Sequence, residues 1–173
     1  MIKEHDSFFL QSIASISLLV ELDKIQYMDS EHFNNLKFDN PSFKAILKES
    51  SLGNPATLQI FLYTLLVVPR ELNKNLSLNL KFNRINKMLK KFAIEPISTY
   101  ENEVDFDMVN VVRNCVAHSS INYTKDNEIT FATFVDMDPS NSEKYRKFKI
   151  KTGDLGIILT EIQKIILNHI NIN

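Results

Sequence analysis

Apolar residues recur at helical spacing along most of the chain. From Asp6 or Ser7 to about Met28, Phe9, Ile13, Ile16 and Val20 mark one stripe, widened by Leu18, Leu22 and Ile25, and predict a first helix. Asn40-Pro41 reads as an N-cap with proline in the first turn. A second helix therefore spans Asp39 to Glu49, with Phe43, Ile46 and Leu47 on one face and Gly53 as its stop. Asn54-Pro55 repeats the start signal for an apolar helix carrying Leu58, Phe61, Leu62 and Leu65, which Pro69 breaks. A fourth helix, Ser77 to Ala93, buries Phe82, Ile85, Leu89 and Phe92 and ends at Glu95-Pro96. A fifth starts between Thr99 and Asp105, where Glu101, Glu103, Asp105 and Asp107 suit the positive end of a helix. The last runs from about Asp154 and buries Leu155, Ile158, Leu159, Ile162, Ile165, Ile166 and Ile170.

Between the last two helices the period changes from helical to alternating. Ile129, Phe131, Thr133 and Val135 alternate with Thr130, Ala132 and Phe134, while Phe148 and Ile150 stand opposite Tyr145, Lys147, Lys149 and Lys151. With Asp136 to Ser142 as a polar loop, this predicts a two-stranded hairpin packed by one face on the helices, since an isolated hairpin is marginal in water. The fold class expected is mainly α, with a small β-hairpin inserted before the C-terminal helix.

Length and composition narrow the function classes. A chain of 173 residues that is 44% hydrophobic suits one domain, 1–173, with a sizeable core. A net charge of -1 argues against bulk electrostatic adhesion to nucleic acid, so any RNA contact needs a local patch. One candidate is the cationic face of the fourth helix: Lys81, Arg84, Lys87, Lys90 and Lys91. The lysine row of the hairpin is a second, although a solvated face and edge protection are the commoner explanations of such lysines. Cys115 is the single cysteine, so no internal disulfide forms, and its apolar surroundings point to a buried thiol. The chain shows neither a signal-peptide layout nor an apolar run of membrane-spanning length, which leads us to expect a cytoplasmic protein without membrane contact. His5, His32, His118 and His169 are scattered, and glycine-rich phosphate loops are absent. Neither a metal nor a nucleotide cofactor is expected. Asp136-Met137-Asp138 lacks the glycine and terminal glutamate of a calcium loop and reads as a turn.

The segment with the most chemistry is Arg113-Asn114-Cys115-Val116-Ala117-His118, at the end of the fifth helix. Arginine keeps its charge and forks onto phosphate oxygens, and histidine titrates near neutrality, so together they can grip a phosphodiester and move its protons. A five-residue step rotates a side chain by about 140° on an unbroken helix. The two therefore face one site only if the helix stops at about Ala117, which Ser119, Ser120 and Asn122 favour. Asn110, Arg113, Asn114 and Ala117 form a polar stripe apart from Val109, Val112 and Val116. Asn114, four residues before His118, is placed to orient the imidazole or to add a donor. An arginine and a histidine in a final turn also simply answer the helix dipole.

Arg-Asn followed by His resembles the R-polar-xxx-H signature of the HEPN superfamily. The apolar helix opened by Ser51-Leu52-Gly53-Asn54-Pro55-Ala56, and the alternating stretch leading into an amphipathic last helix, resemble small bacterial HEPN proteins of plasmid-borne and phage-defence loci. The resemblance spans roughly Leu52 to Ile170. It implies a helical bundle that dimerises with two motifs in one cleft, and metal-independent endoribonuclease activity on RNA in a toxin or phage-defence effector, with an antitoxin or regulatory partner. His118 would then act as acid or base, Arg113 would stabilise the phosphoryl oxygens and Asn114 would position the motif. Ser119, Ser120, Asn122 and Tyr123, with Lys87, Lys90 and Lys91, would contact substrate. Where some HEPN toxins carry a tyrosine two residues after the histidine, this chain has Ser120, so regulation through such a tyrosine does not carry over. Two alternatives stand beside this reading: a catalytically inactive HEPN-like module that binds RNA or nucleotide or partners an antitoxin, and an unrelated helical interaction protein.

Overall fold

A computed structural model describes residues 4–52, 54–68 and 78–169. Gly53, Pro69, Ser77 and Ile170, and the side chains of Phe9 and Lys81, lie outside the described residues. The chain divides into two compact units, Met1–Phe61 and Leu62–Asn173.

The first unit contains α1 (Glu4–Lys24), a 3-10 turn (Tyr27–Asp29), α2 (Glu31–Asn35), α3 (Pro41–Ser50) and the start of α4 (Pro55–Leu62). Helix α1 stops short of Met28 because Gln26 adopts a left-handed φ of 53°. Ile13 and Ile16 are buried, but Leu18 and Ile25 are exposed and do not widen the stripe. The five-residue α2 has too few apolar positions to show a period; the Ser30 hydroxyl caps it by accepting from the Phe33 amide at 3.1 Å. Phe33 is buried, edge-on to Tyr27 and Phe38. Both Asn-Pro starts are as expected: Asn40 Oδ1 accepts from the Ser42 amide and Asn54 Oδ1 from the Thr57 amide, each at 3.0 Å. The apolar face of α3 is not buried, since Phe43 and Ile46 are 58% and 55% exposed.

The second unit opens in a wide π-helical turn (Tyr63–Val67), followed by α5 (Leu78–Phe92), β1 (Ile94–Ser98), α6 (Met108–Ala117), β2 (Ile121–Asp126), β3 (Ile129–Asp138), β4 (Asn141–Lys151) and α7 (Thr152–His169). The hairpin is correct but incomplete. It forms the centre of a four-stranded antiparallel sheet in the order β1-β4-β3-β2. β1 pairs with β4 across an irregularity between Ile94 and Ile97, and its Pro96 is tolerated because β1 is an edge strand. β2 pairs with β3 from Ile121↔Phe134 to Asp126↔Ile129. The expected loop 136–142 is mostly strand: Asp136 pairs with Arg146 and Met137 with Tyr145, leaving Pro139-Ser140 as the turn. There the Asp138 carboxylate accepts from the Ser140 amide at 2.8 Å and its hydroxyl at 2.6 Å.

Alternation assigns the two sheet faces. Ala132, Phe134, Phe148 and Ile150 are buried on one face, and the Phe134 and Phe148 rings stack at 5.1 Å. Both α6 and α7 pack against β3. Ile85 and Leu89 of α5, Val111, Val112, Cys115 and Val116 of α6, and Leu155, Ile158 and Ile162 of α7 are also buried. The lysines of β4 therefore lie on the opposite face.

Candidate active site

Helix α6 is held at its N-terminus by two caps. The Asp107 carboxylate accepts from the amides of Val109 and Asn110 at 3.0 and 3.2 Å, and Asn86 of α5 accepts from the Met108 amide at 2.8 Å. The helix thus starts later than the acidic run suggested. Of that run only Asp107 caps; Glu103 instead pairs with Arg146 of β4, and Asp105 with Lys90.

The C-terminus of α6 is closed by backbone geometry. His118 is the C-cap, its amide donating to the Asn114 carbonyl at 3.0 Å. Ser119 follows in the left-handed region with φ 53°. Its amide donates to Val116 O at 3.4 Å, and the Ser120 amide donates to Cys115 O at 2.8 Å. These two bonds are the 5→2 and 6→1 pairs of a Schellman motif, with serine at the position glycine commonly takes. The chain then turns directly into β2. His118 is exposed one residue past the last helical residue, and the chain leaves the helical path at Ser119.

On that stripe Arg113 and Asn114 are half-buried, while Asn110 and Ala117 are exposed. Asn110 is occupied locally, donating to Asp107 Oδ2 at 2.6 Å. The Asn114 amide nitrogen donates to both carboxylate oxygens of Asp136 on β3, at 3.3 and 3.2 Å. Its side chain therefore braces helix against sheet and does not orient the imidazole as expected. Among the described residues, no side chain hydrogen-bonds the His118 ring. Asp136 is a neighbour of the motif that the local sequence pattern does not reveal, because its position depends on strand pairing.

The remaining site residues separate into two groups. Ser119, Ser120 and Asn122 are exposed and continue from the motif, while Tyr123 is half-buried on the packed face of β2, opposite Ala132. Among the described residues the buried Tyr123 hydroxyl has no hydrogen-bond partner, and burial pushes its pKa up to about 12. Burial likewise pushes the Cys115 thiol up to about 11, against a lowering hydrogen bond with Ser120, so it stays protonated and is no nucleophile. Lys87, Lys90 and Lys91 share a face of α5. Lys90 Nζ lies 2.6 Å from Asp105, just before the start of α6. That places Lys90 roughly 15 Å of helix from His118, so the structure does not bring it to the motif. Arg84 of the same helix pairs with Glu161 at 3.2 Å. No three His, Cys, Asp or Glu side chains among the described residues gather closely enough to hold a metal ion. No helix there is long and apolar enough to cross a membrane.

The Arg-Asn-x-x-x-His run thus ends a capped helix, in a unit whose four-stranded sheet departs from the all-helical bundle that the HEPN resemblance implies. Residues 3–173 match the family model HEPN pEK499 p136, and the chain belongs to that family. No curated protein and no solved structure matches it.

Proposed function

We propose that this HEPN protein is a metal-independent endoribonuclease of toxin or phage-defence type, with Arg113 and His118 as its reacting pair. The observation that carries this reading is the Schellman turn at His118. It ends the helix at Ala117 and leaves His118 exposed, five residues after Arg113.

RNA supplies its own nucleophile. The 2′-oxygen bonds to phosphorus as its proton passes to a base, the bond from phosphorus to the 5′-oxygen breaks, and an acid protonates that leaving oxygen. The products are a 2′,3′-cyclic phosphate and a 5′-hydroxyl. His118 serves as acid or base, a role worth roughly 10²- to 10⁴-fold. Arg113 stabilises the charge on the equatorial oxygens. One imidazole does not reach both sides of an in-line displacement, so a second copy of the chain supplies the other across an isologous interface. Asn114, engaged by Asp136, holds the turn that presents His118. Ser119, Ser120 and Asn122 border the exposed imidazole and contact the RNA.

A second reading is favoured by the same contact between Asn114 and Asp136. With no side chain among the described residues orienting the imidazole, the turn serves in this reading to bind RNA, nucleotide or an antitoxin partner, without cleavage. The test compares wild type with His118→Ala and Arg113→Ala on unstructured RNA in excess EDTA, with thermal melts of each. Cleavage lost by folded variants supports the nuclease. Cleavage retained by both removes the site, cleavage abolished by EDTA alone requires a metal, and binding without cleavage by wild type supports the second reading.

A further inference from the structure

Lys147, Lys149 and Lys151 occupy alternate positions of β4, on the face opposite Phe148 and Ile150, and side chains two apart on a strand are separated by about 6.7 Å. Edge protection does not account for Lys147 and Lys149. There β4 is hydrogen-bonded to β1 on one side and β3 on the other and has no open edge to guard, and Lys151, just beyond the β1 pairing, continues their row. Nor do acids balance them. Lys147 is flanked in register by Ile97 and Val135, Lys149 by Ile94 and Thr133, and Lys151 by Phe131. Among the described residues, none of the three forms an ion pair, although Glu95 sits in the β1 irregularity and Asp126 at the far end of β2. A row of like charges that repel each other, unneutralised in a protein of net charge -1, is matched by a polyanion.

Two aromatic rings belong to the same face. Lys149 Nζ caps the Phe131 ring at 4.1 Å from its centroid, and Tyr145 stands one step before Lys147. Phe131 is 8% exposed beneath that ammonium, so a base reaches its ring only as a phosphate draws Lys149 aside; aromatic stacking of this kind holds single strands without sequence readout.

We propose that this face is the track for a single-stranded RNA, with its phosphates on Lys147, Lys149 and Lys151 and its bases toward Phe131 and Tyr145. The choice of RNA as the polyanion rests on the nuclease reading above. The test measures fluorescence anisotropy of a labelled oligo(U) with the full-length His118→Ala protein, in which cleavage is silenced, across a salt series. Substituting all three lysines by Glu should weaken binding at least about tenfold and reduce the slope of log K against log salt by about 2, from three contacts at roughly 0.7 each. The triple Gln variant, which introduces no new charge, gives the same readout if the Glu variant does not fold. Unchanged affinity and slope in a folded triple variant overturn the proposal, as does lysine-dependent binding to phosphatidylserine vesicles with none to oligo(U). The two readings fail separately. Lysine-dependent oligo(U) binding by a protein that never cleaves RNA removes the nuclease and keeps the track, whereas cleavage with a lysine-independent KM does the reverse.

Discussion

The Asn114 side chain reaches Asp136 across the gap between α6 and β3, its single amide nitrogen shared by two carboxylate oxygens at 3.3 and 3.2 Å. This ties the last turn of the motif helix to the sheet. Hydrogen bonds to charged groups are worth more than neutral ones, so a double-mutant cycle of Asn114→Ala and Asp136→Ala should give a coupling of about 1 kcal/mol or more in urea unfolding. Additive single effects would show that the contact does not hold the turn.

Ser119 takes a backbone conformation that L side chains adopt at a cost of roughly 1–2 kcal/mol. Ser119→Gly relieves that cost while adding roughly 0.5–1 kcal/mol of backbone entropy loss. The variant should be more stable by a few tenths to about 1 kcal/mol, and Ser119→Val less stable than wild type. Chemical denaturation of the three proteins decides it; a Gly variant less stable than wild type would contradict the left-handed assignment.

Glu103 accepts two hydrogen bonds from Arg146, Nε to Oε2 at 2.8 Å and Nη2 to Oε1 at 2.9 Å. The Arg146 bonds hold its carboxyl below the usual range, ahead of the opposing effect of burial. A depressed folded-state value means the contribution is present above the unfolded value of about 4.3 and is lost as pH falls through the folded one. Wild type should therefore lose stability on acidification more steeply below about pH 4 than Glu103→Gln. Parallel urea midpoints for the two proteins over that range would refute this.

The Tyr123 hydroxyl is buried and makes no hydrogen bond among the described residues. Removing such a group relieves an uncompensated desolvation, so Tyr123→Phe should be as stable as wild type or more so at neutral pH. Burial raises its folded value to about 12. Because the buried phenol resists ionisation, stability is unaffected below the unfolded value of about 10 and falls as pH climbs from there toward 12. Thermal melts should show the alkaline loss shrinking in the Phe variant. A drop of more than about 1 kcal/mol at neutral pH would mean the hydroxyl has a partner in solution.

Much of this architecture is legible where the signal is local. Asn40-Pro41 and Asn54-Pro55 announce their helices through caps that operate within three residues, and Ser119-Ser120 mark the stop after His118. Failures cluster where pairing is distant in sequence. β1 has a proline and only two apolar residues, and becomes a strand because β4 lies beside it. β2 does alternate, with Ile121 and Tyr123 against Asn122 and Thr124, but its residues were read as cleft lining. Glu101, Glu103 and Asp105 looked like a helix start because acids favour one, yet two of the three are used by Arg146 and Lys90. Asp136 could be found only through the register of β3.

β4 ends at Lys151 and α7 begins at Thr152, with no residue between them. Such a joint has no slack. A load placed on the lysine row passes straight into the helix that carries Leu155, Ile158 and Ile162, so inserting a flexible spacer after Lys151 is the most direct way to disconnect that surface from the interior.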